Sequence, residues 1–208
     1  MSFSDASVRS SWARIDAWLR RHAPASFAEL APGASADEIE SAQAQLGLRF
    51  PAELLESLAC HNGAEKYSGV LPAGAPLGSA EAVDVWQMRM RLSGEDEEPG
   101  GSDGEPWWHC KWIPWSETDG DVQVIDMRVG PDRGRIGWAV RDDCGRFGEG
   151  WGWSSLGTYL HEVAETLEVG GTVGDLGPYL TSESKLIWLP PDEAEYWELA
   201  PTPVSRDA

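Results

Sequence analysis

The sequence is short of positive charge. Sixteen Lys and Arg stand against 35 Asp and Glu, a formal net charge of −19 with an isoelectric point near 4.4. Phosphate backbones are held by Lys and Arg that displace counterions, so direct nucleic-acid binding is not expected. Thiols are scarce too: three cysteines, dispersed and odd in number, with no C-x-x-C pair. That excludes a disulfide framework, argues against a structural zinc site, and suits reduced thiols in a cytoplasm. No apolar run approaches the roughly 18 residues a membrane span needs. The opening MSFSDASVRSSWARIDAW has no compact apolar stretch and no small-residue cleavage site. Neither a membrane segment nor a secretory leader is therefore expected, and the expected location is cytoplasmic. Internal repeats are absent. GEGWGW, at 148 to 153, lacks the Lys-Ser/Thr of a nucleotide loop, so no phosphate site and no cofactor is expected.

What is present is enough for a globular domain: 208 residues, 41% of them hydrophobic. Val8, Trp12, Ile15 and Leu19 recur at helical spacing and predict a helix over 8–21 that Pro24 stops. In ASADEIESAQAQLGLRFP, Ser35 and Glu38 form an S-x-x-E capping-box pattern. Ile39, Ala42 and Leu46 line one face there, and Gly47 is placed as a C-terminal cap. Pro51 suits the first turn of the next helix, whose apolar side is Leu54, Leu55 and Leu58. That helix must end near Asn62-Gly63, a pair that tolerates left-handed backbone angles. After the loop SGVLPAGAPLGS, Ser79 is placed to cap a short helix with Val83, Trp86 and Met90 on one face.

Between Arg91 and Lys111 there is no positive residue. Glu95, Asp96, Glu97, Glu98, Asp103 and Glu105 lie there among glycines and prolines, which predicts an exposed acidic loop. KWIPW (111–115), DVQVIDM (121–127) and RIGWAV (135–140) follow, short runs rich in β-branched and aromatic residues and separated by the turns ETDGD and RVGPDRG. They predict strands, and such short connections favour antiparallel pairing. Leu156, Leu160, Val163 and Leu167 predict a closing helix that Gly170-Gly171 ends. The order of elements defines an α+β fold: a mostly antiparallel sheet with N-terminal helices and a closing helix packed against it, in a domain over 1–170. Residues 171–208 are expected to form an acidic, Pro-rich extension that adds a short strand at 185–190.

The eye-catching chemistry is weak at each point. Cys60 and His61 are adjacent, and neighbours on a helix point about 100° apart, so they do not face each other as nucleophile and base. His109, Cys110 and Cys144 lack the close ligand pairs of a zinc site. Asp119, Asp121 and Asp126 lack the calcium-loop pattern and are better explained by a hairpin turn leading into a strand. No catalytic or metal-ligating residue is nominated. Of the twelve Trp, those in the strands belong in the core. Trp107 and Trp108, at the exit of the acidic loop, are expected to be the exposed ones, able to anchor a protein or stack on a sugar.

These elements together resemble the SUKH superfamily. Its opening pattern is carried by Glu38, Ile39, Leu46, Gly47, Phe50, Pro51, Leu54, Leu55, Asn62 and Gly63. Its W-[IL]-P-[FIW] strand and Gly-Asp turn are matched by Trp112, Ile113, Pro114, Trp115, Gly120, Asp121 and Asp126, and its closing helix by SSLGTYLHEVAETL. The resemblance covers roughly residues 10 to 170; the acidic insert at 93–106 and the tail after 171 depart from it. It implies an α+β protein-binding domain without catalytic residues. Bacterial members of this superfamily are commonly immunity proteins that neutralise a toxin domain, often a nuclease; fungal members act as regulatory scaffolds. The expected mode of action is toxin neutralisation by occlusion, with Glu95, Asp96, Glu97, Glu98, Asp103 and Glu105 meeting a basic partner and Trp107 and Trp108 as anchors. The alternatives are a regulatory scaffold with an endogenous partner, and a binder of carbohydrate or cell-wall fragments through the Trp cluster.

Overall fold

In the computed structural model, which describes residues 7–72, 74–93, 104–148, 150–196 and 199–203, Ser7 accepts from the Ser10 amide and starts α1, Val8–His22. Val8, Trp12, Ile15, Trp18 and Leu19 form its buried stripe. Pro24 ends this helix and also begins another. It takes the first position of α2, Pro24–Ala28, where a missing N–H costs nothing. Helix α3, Ala36–Leu46, carries the capping box in full. The Glu38 amide donates to the Ser35 hydroxyl at 3.3 Å, and the Ser35 amide donates to the Glu38 carboxylate at 2.7 Å. Gly47 closes α3 in the left-handed conformation, φ 64°. Pro51 sits just before α4, Ala52–Cys60, where its carbonyl accepts from Leu54 and Leu55.

The chain then passes Asn62 and Gly63 against Gly78 and Ser79. Gly63 has φ 89°, and a Cβ there would stand 2.4 Å from the Gly78 nitrogen. Only glycine allows this crossing. The Asn62 side chain accepts from the Ser79 amide at 2.7 Å, so Asn62 supplies the acceptor at the start of α5, Ser79–Ser93. Ser79 is the first residue of that helix, and at 15 residues it exceeds the short helix expected from its apolar face.

The main sheet is an antiparallel meander in chain order: β1 Ala75–Pro76, β2 Trp112–Thr118, β3 Asp121–Asp126, β4 Ile136–Ala139 and β5 Gly145–Arg146. Asp119 (φ 48°) and Gly120 (φ 89°) close the β2–β3 hairpin, with Thr118 paired to Asp121. Positive φ at both turn positions matches the right-handed twist of the strands. Ile113, Trp115, Ile125 and Ile136 join the core built by α1 and α6, Leu156–Val169. Leu156, Leu160, Val163 and Leu167 of α6 are all buried in it. Trp112, Val122, Val124 and Ala139 point to the opposite face, beneath Trp108 and Val85 of α5. Both faces of the sheet are therefore covered, which is why β2 is apolar almost without alternation.

Beyond α6 lie β6 Gly177–Leu180, β7 Leu186–Leu189, α7 Pro191–Tyr196 and β8 Ala200–Pro201. The strand anticipated at 185–190 exists as β7, but it joins a second sheet of order β7-β6-β8 instead of extending the first. Leu186 donates its amide to the Ser26 hydroxyl at 2.8 Å, and the Lys185 ammonium meets Glu29 at 2.6 Å. Leu186 and Trp188 are buried in the main core, so the apolar core runs across residue 170.

Candidate partner-binding surface

Of the residues nominated for partner binding, Glu95, Asp96, Glu97, Glu98 and Asp103 lie outside the described residues. Glu105 is not a free surface acid. It meets Arg128 and Arg135 at 2.8 Å each, and the same two guanidinium groups hold Asp126 at 2.7 and 3.1 Å. The Asp126 side chain is only 3% exposed. Burial opposes its charge, but the hydrogen bonds from Arg128 and Arg135 outweigh that and hold its pKa below the usual carboxylate range. This network ties the exit of the acidic stretch to the end of β3.

Trp108 is 1% exposed, contrary to its expected role as an exposed anchor. It packs edge-on against Trp112, with centroids 5.8 Å apart, and covers the second face of the sheet. Trp107 is half-buried. Its indole N–H donates to the Arg141 carbonyl at 2.8 Å, and the Arg89 guanidinium lies 4.7 Å from its ring. Arg89 itself is buried on α5 and donates to the Gly120 carbonyl. Burial lowers its pKa. Trp112 and Trp115 are also buried, so three of the four crowded Trp are core residues and not a stacking platform.

The Cys60-His61 pair separates because Cys60 ends α4 and His61, just beyond it, is already extended. Burial pushes the Cys60 thiol pKa up, away from thiolate chemistry. The His61 ring turns to α1: Nε2 lies 2.9 Å from the Asp16 carboxylate and Nδ1 2.9 Å from the Ala31 carbonyl. Both partners accept, so both bonds require the doubly protonated ring. Burial works against that charge, but the bonds to Asp16 and Ala31 outweigh it and raise the His61 pKa. Asp121, the first residue of β3, accepts from the Arg141 amide at 2.7 Å. Among the described residues no group of three or more His, Cys, Asp or Glu is arranged to hold a metal, and no helix is long and apolar enough to cross a membrane.

One open feature lies elsewhere, where three segments of the chain meet. The loop at Lys66 and Tyr67, the first turns of α5 and the tip of the β2–β3 hairpin enclose a groove of about 220 Å³. Its floor is apolar: Pro76, Leu77 and Val85. Its walls carry Glu81 and Asp84 from α5 and Glu117 and Asp119 from the hairpin. No ion pair among the described residues engages Asp84, Glu117 or Asp119; Glu81 accepts the Gly78 amide at 2.9 Å. Tyr67, 75% exposed and left-handed at φ 66°, stands at the mouth. Sequence reading missed this site. Its only local signals were the acids of ETDGD and an aromatic in AEKYSG.

Fold and surface define an α+β domain that carries an acidic groove. The model of the SMI1 / KNR4 family (SUKH-1) matches residues 33–168, from just before α3 to the end of α6, and the chain belongs to that family. Two relatives are similar to it. A glucan synthesis regulatory protein of Neurospora crassa is 33% identical over 85 residues, covering 38% of this chain and 16% of that protein. The cell wall biosynthesis/cell cycle regulator smi1 of Schizosaccharomyces pombe is 25% identical over 213 residues, covering 89% of this chain and 40% of that protein. The chain thus spans less than half the length of either relative.

Proposed function

We propose that the chain is a non-enzymatic protein-binding domain that docks on a basic surface of a protein partner and blocks it. The observation that carries this reading is the charge of −19 together with an open groove walled by carboxylates. Complementary fields of that kind speed encounter and select basic partners. The conspicuous buried groups fit a binding role: His61, Arg89 and Asp126 are each committed to joining elements of the fold. The partner class favoured by the charge is a toxin domain, a nuclease above all, because nucleases carry basic phosphate-binding clefts. The chain would then act as an immunity protein. A second reading, regulation of an endogenous partner, is favoured by the names of the two fungal relatives.

Affinity capture on the immobilised chain tests the class. The expected result is a basic protein held in a stoichiometric complex that dissociates as salt rises. Coexpression separates the two readings: a toxin poisons cells unless the chain is present, whereas an endogenous partner does not. A partner bound with no salt dependence would overturn the electrostatic mechanism.

A further inference from the structure

We infer that the groove between α5 and the β2–β3 hairpin receives a single Arg or Lys side chain from an exposed segment of the protein partner; this rests on the protein-binding reading and gives it an address. The groove has the two-part chemistry such a side chain needs. Pro76, Leu77 and Val85 offer an apolar floor for the methylene stem, and Asp84, Glu117 and Asp119 stand above it for the charged head. Its volume, about 220 Å³, falls below the roughly 300–1,000 Å³ typical of small-molecule pockets. That is the scale of one side chain and not of a cofactor.

Asp84, Glu117 and Asp119 make no ion pair among the described residues, unlike Glu105 and Asp126, which meet Arg128 and Arg135; Glu117 acts on Arg89 through space. Tyr67 adds an aromatic face at the mouth. A non-glycine residue in left-handed backbone carries local strain, and here it presents a ring that is 75% exposed. The chain's own Lys66 ammonium already rests 5.1 Å from that ring, so the ring face is one that accepts a cation. The surface also continues in one direction. Glu81, Asp84, Met88 and Leu92 follow one another at helical steps along the exposed side of α5. Met88 is 40% and Leu92 67% exposed. A partner segment seated in the groove therefore has a mixed apolar and acidic track to follow.

The probe is the acetylated, amidated peptide Gly-Arg-Gly-Arg-Gly, with its Gln counterpart as control. Each is titrated into the isotope-labelled full chain at about 50 and about 200 mM salt and followed by amide chemical shifts. The Arg peptide is expected to shift Tyr67, Leu77, Asp84 and Glu117, and the Gln peptide to shift nothing. The variant Asp84→Asn/Glu117→Gln should unfold at the wild-type temperature and bind about tenfold more weakly, the scale of two partly exposed charge interactions. Tyr67→Ala, a change at a 75% exposed ring that rests against the Lys66 ammonium, is the second variant and should weaken binding severalfold. Unchanged affinity in both variants, or shifts centred on another acidic face, overturns the groove assignment and leaves the protein-binding reading standing. Absence of any shift at the lower salt counts against both.

Discussion

Replacing His61 with Ala should destabilise the chain at low pH and much less at high pH. The magnitude follows from the two hydrogen bonds that Ala is unable to make. The charge-assisted bond to Asp16 at 2.9 Å is worth about 1.5–3 kcal/mol, and the bond to the Ala31 carbonyl, also 2.9 Å, about 1 kcal/mol. The edge-on packing of the ring against Trp12, centroids 5.0 Å apart, adds to this. Asp16 keeps Arg20 at 3.3 Å, which limits the penalty of orphaning it. A loss of about 3 kcal/mol corresponds to a fall of roughly 6–12 °C in unfolding temperature for a chain of this size. The sign with pH is fixed by the raised pKa of folded His61. The stabilisation is complete below the unfolded value near about 6.5 and is lost as pH rises through the folded value. Urea unfolding of wild type, His61→Ala, Asp16→Asn and the double variant at about pH 5.5 and about pH 8.5 closes the cycle at each pH. The coupling between His61 and Asp16 should be present at the lower pH and shrink at the higher. A cost independent of pH, or larger at high pH, would refute the doubly protonated ring.

Other expectations follow from the same structure. Asp126→Asn should cost about 1.5–3 kcal/mol, because it removes the charge-assisted bonds to Arg128 and Arg135 and leaves Glu105 as their shared carboxylate. Since the folded Asp126 pKa is lowered, its contribution holds above the ordinary carboxylate value near about 4 and fades as pH falls through the folded one, which acid unfolding of the two proteins would reveal. Trp108→Ala should cost about 3–5 kcal/mol in chemical denaturation, as expected for emptying a fully buried site; a cost near zero would return Trp108 to the surface. Cys60→Ala should cost a modest amount of stability and leave partner binding intact; loss of function in a still-folded variant would reopen thiol chemistry.

Local chemistry was the legible part. The Ser35–Glu38 capping box and the left-handed Gly47 depend on a few consecutive residues, and both formed as the sequence predicts. The stripes of α1 and α6 were legible for the same reason, and so was the antiparallel pairing of three strands joined by short turns. The motif order that resembled the SUKH superfamily coincides with the family match over 33–168. The illegible part was long-range. β1 and β5 have two residues each, too few for any periodicity. Trp107 and Trp108 are adjacent and alike in sequence, yet Trp108 is buried over Trp112 and Trp107 is only half-buried, with Arg89 lying against both rings. The groove draws on positions 66–67, 76–85 and 117–119, which only the folded chain brings together.

The most direct test of the central claim is the affinity of the captured partner for the wild-type chain and for Asp84→Asn/Glu117→Gln, each measured from about 50 to about 200 mM salt. Recognition of a basic surface through the acidic groove predicts a steep loss of affinity with salt, and a variant weaker by about tenfold whose salt dependence is shallower. Equal affinities with no salt dependence would contradict it.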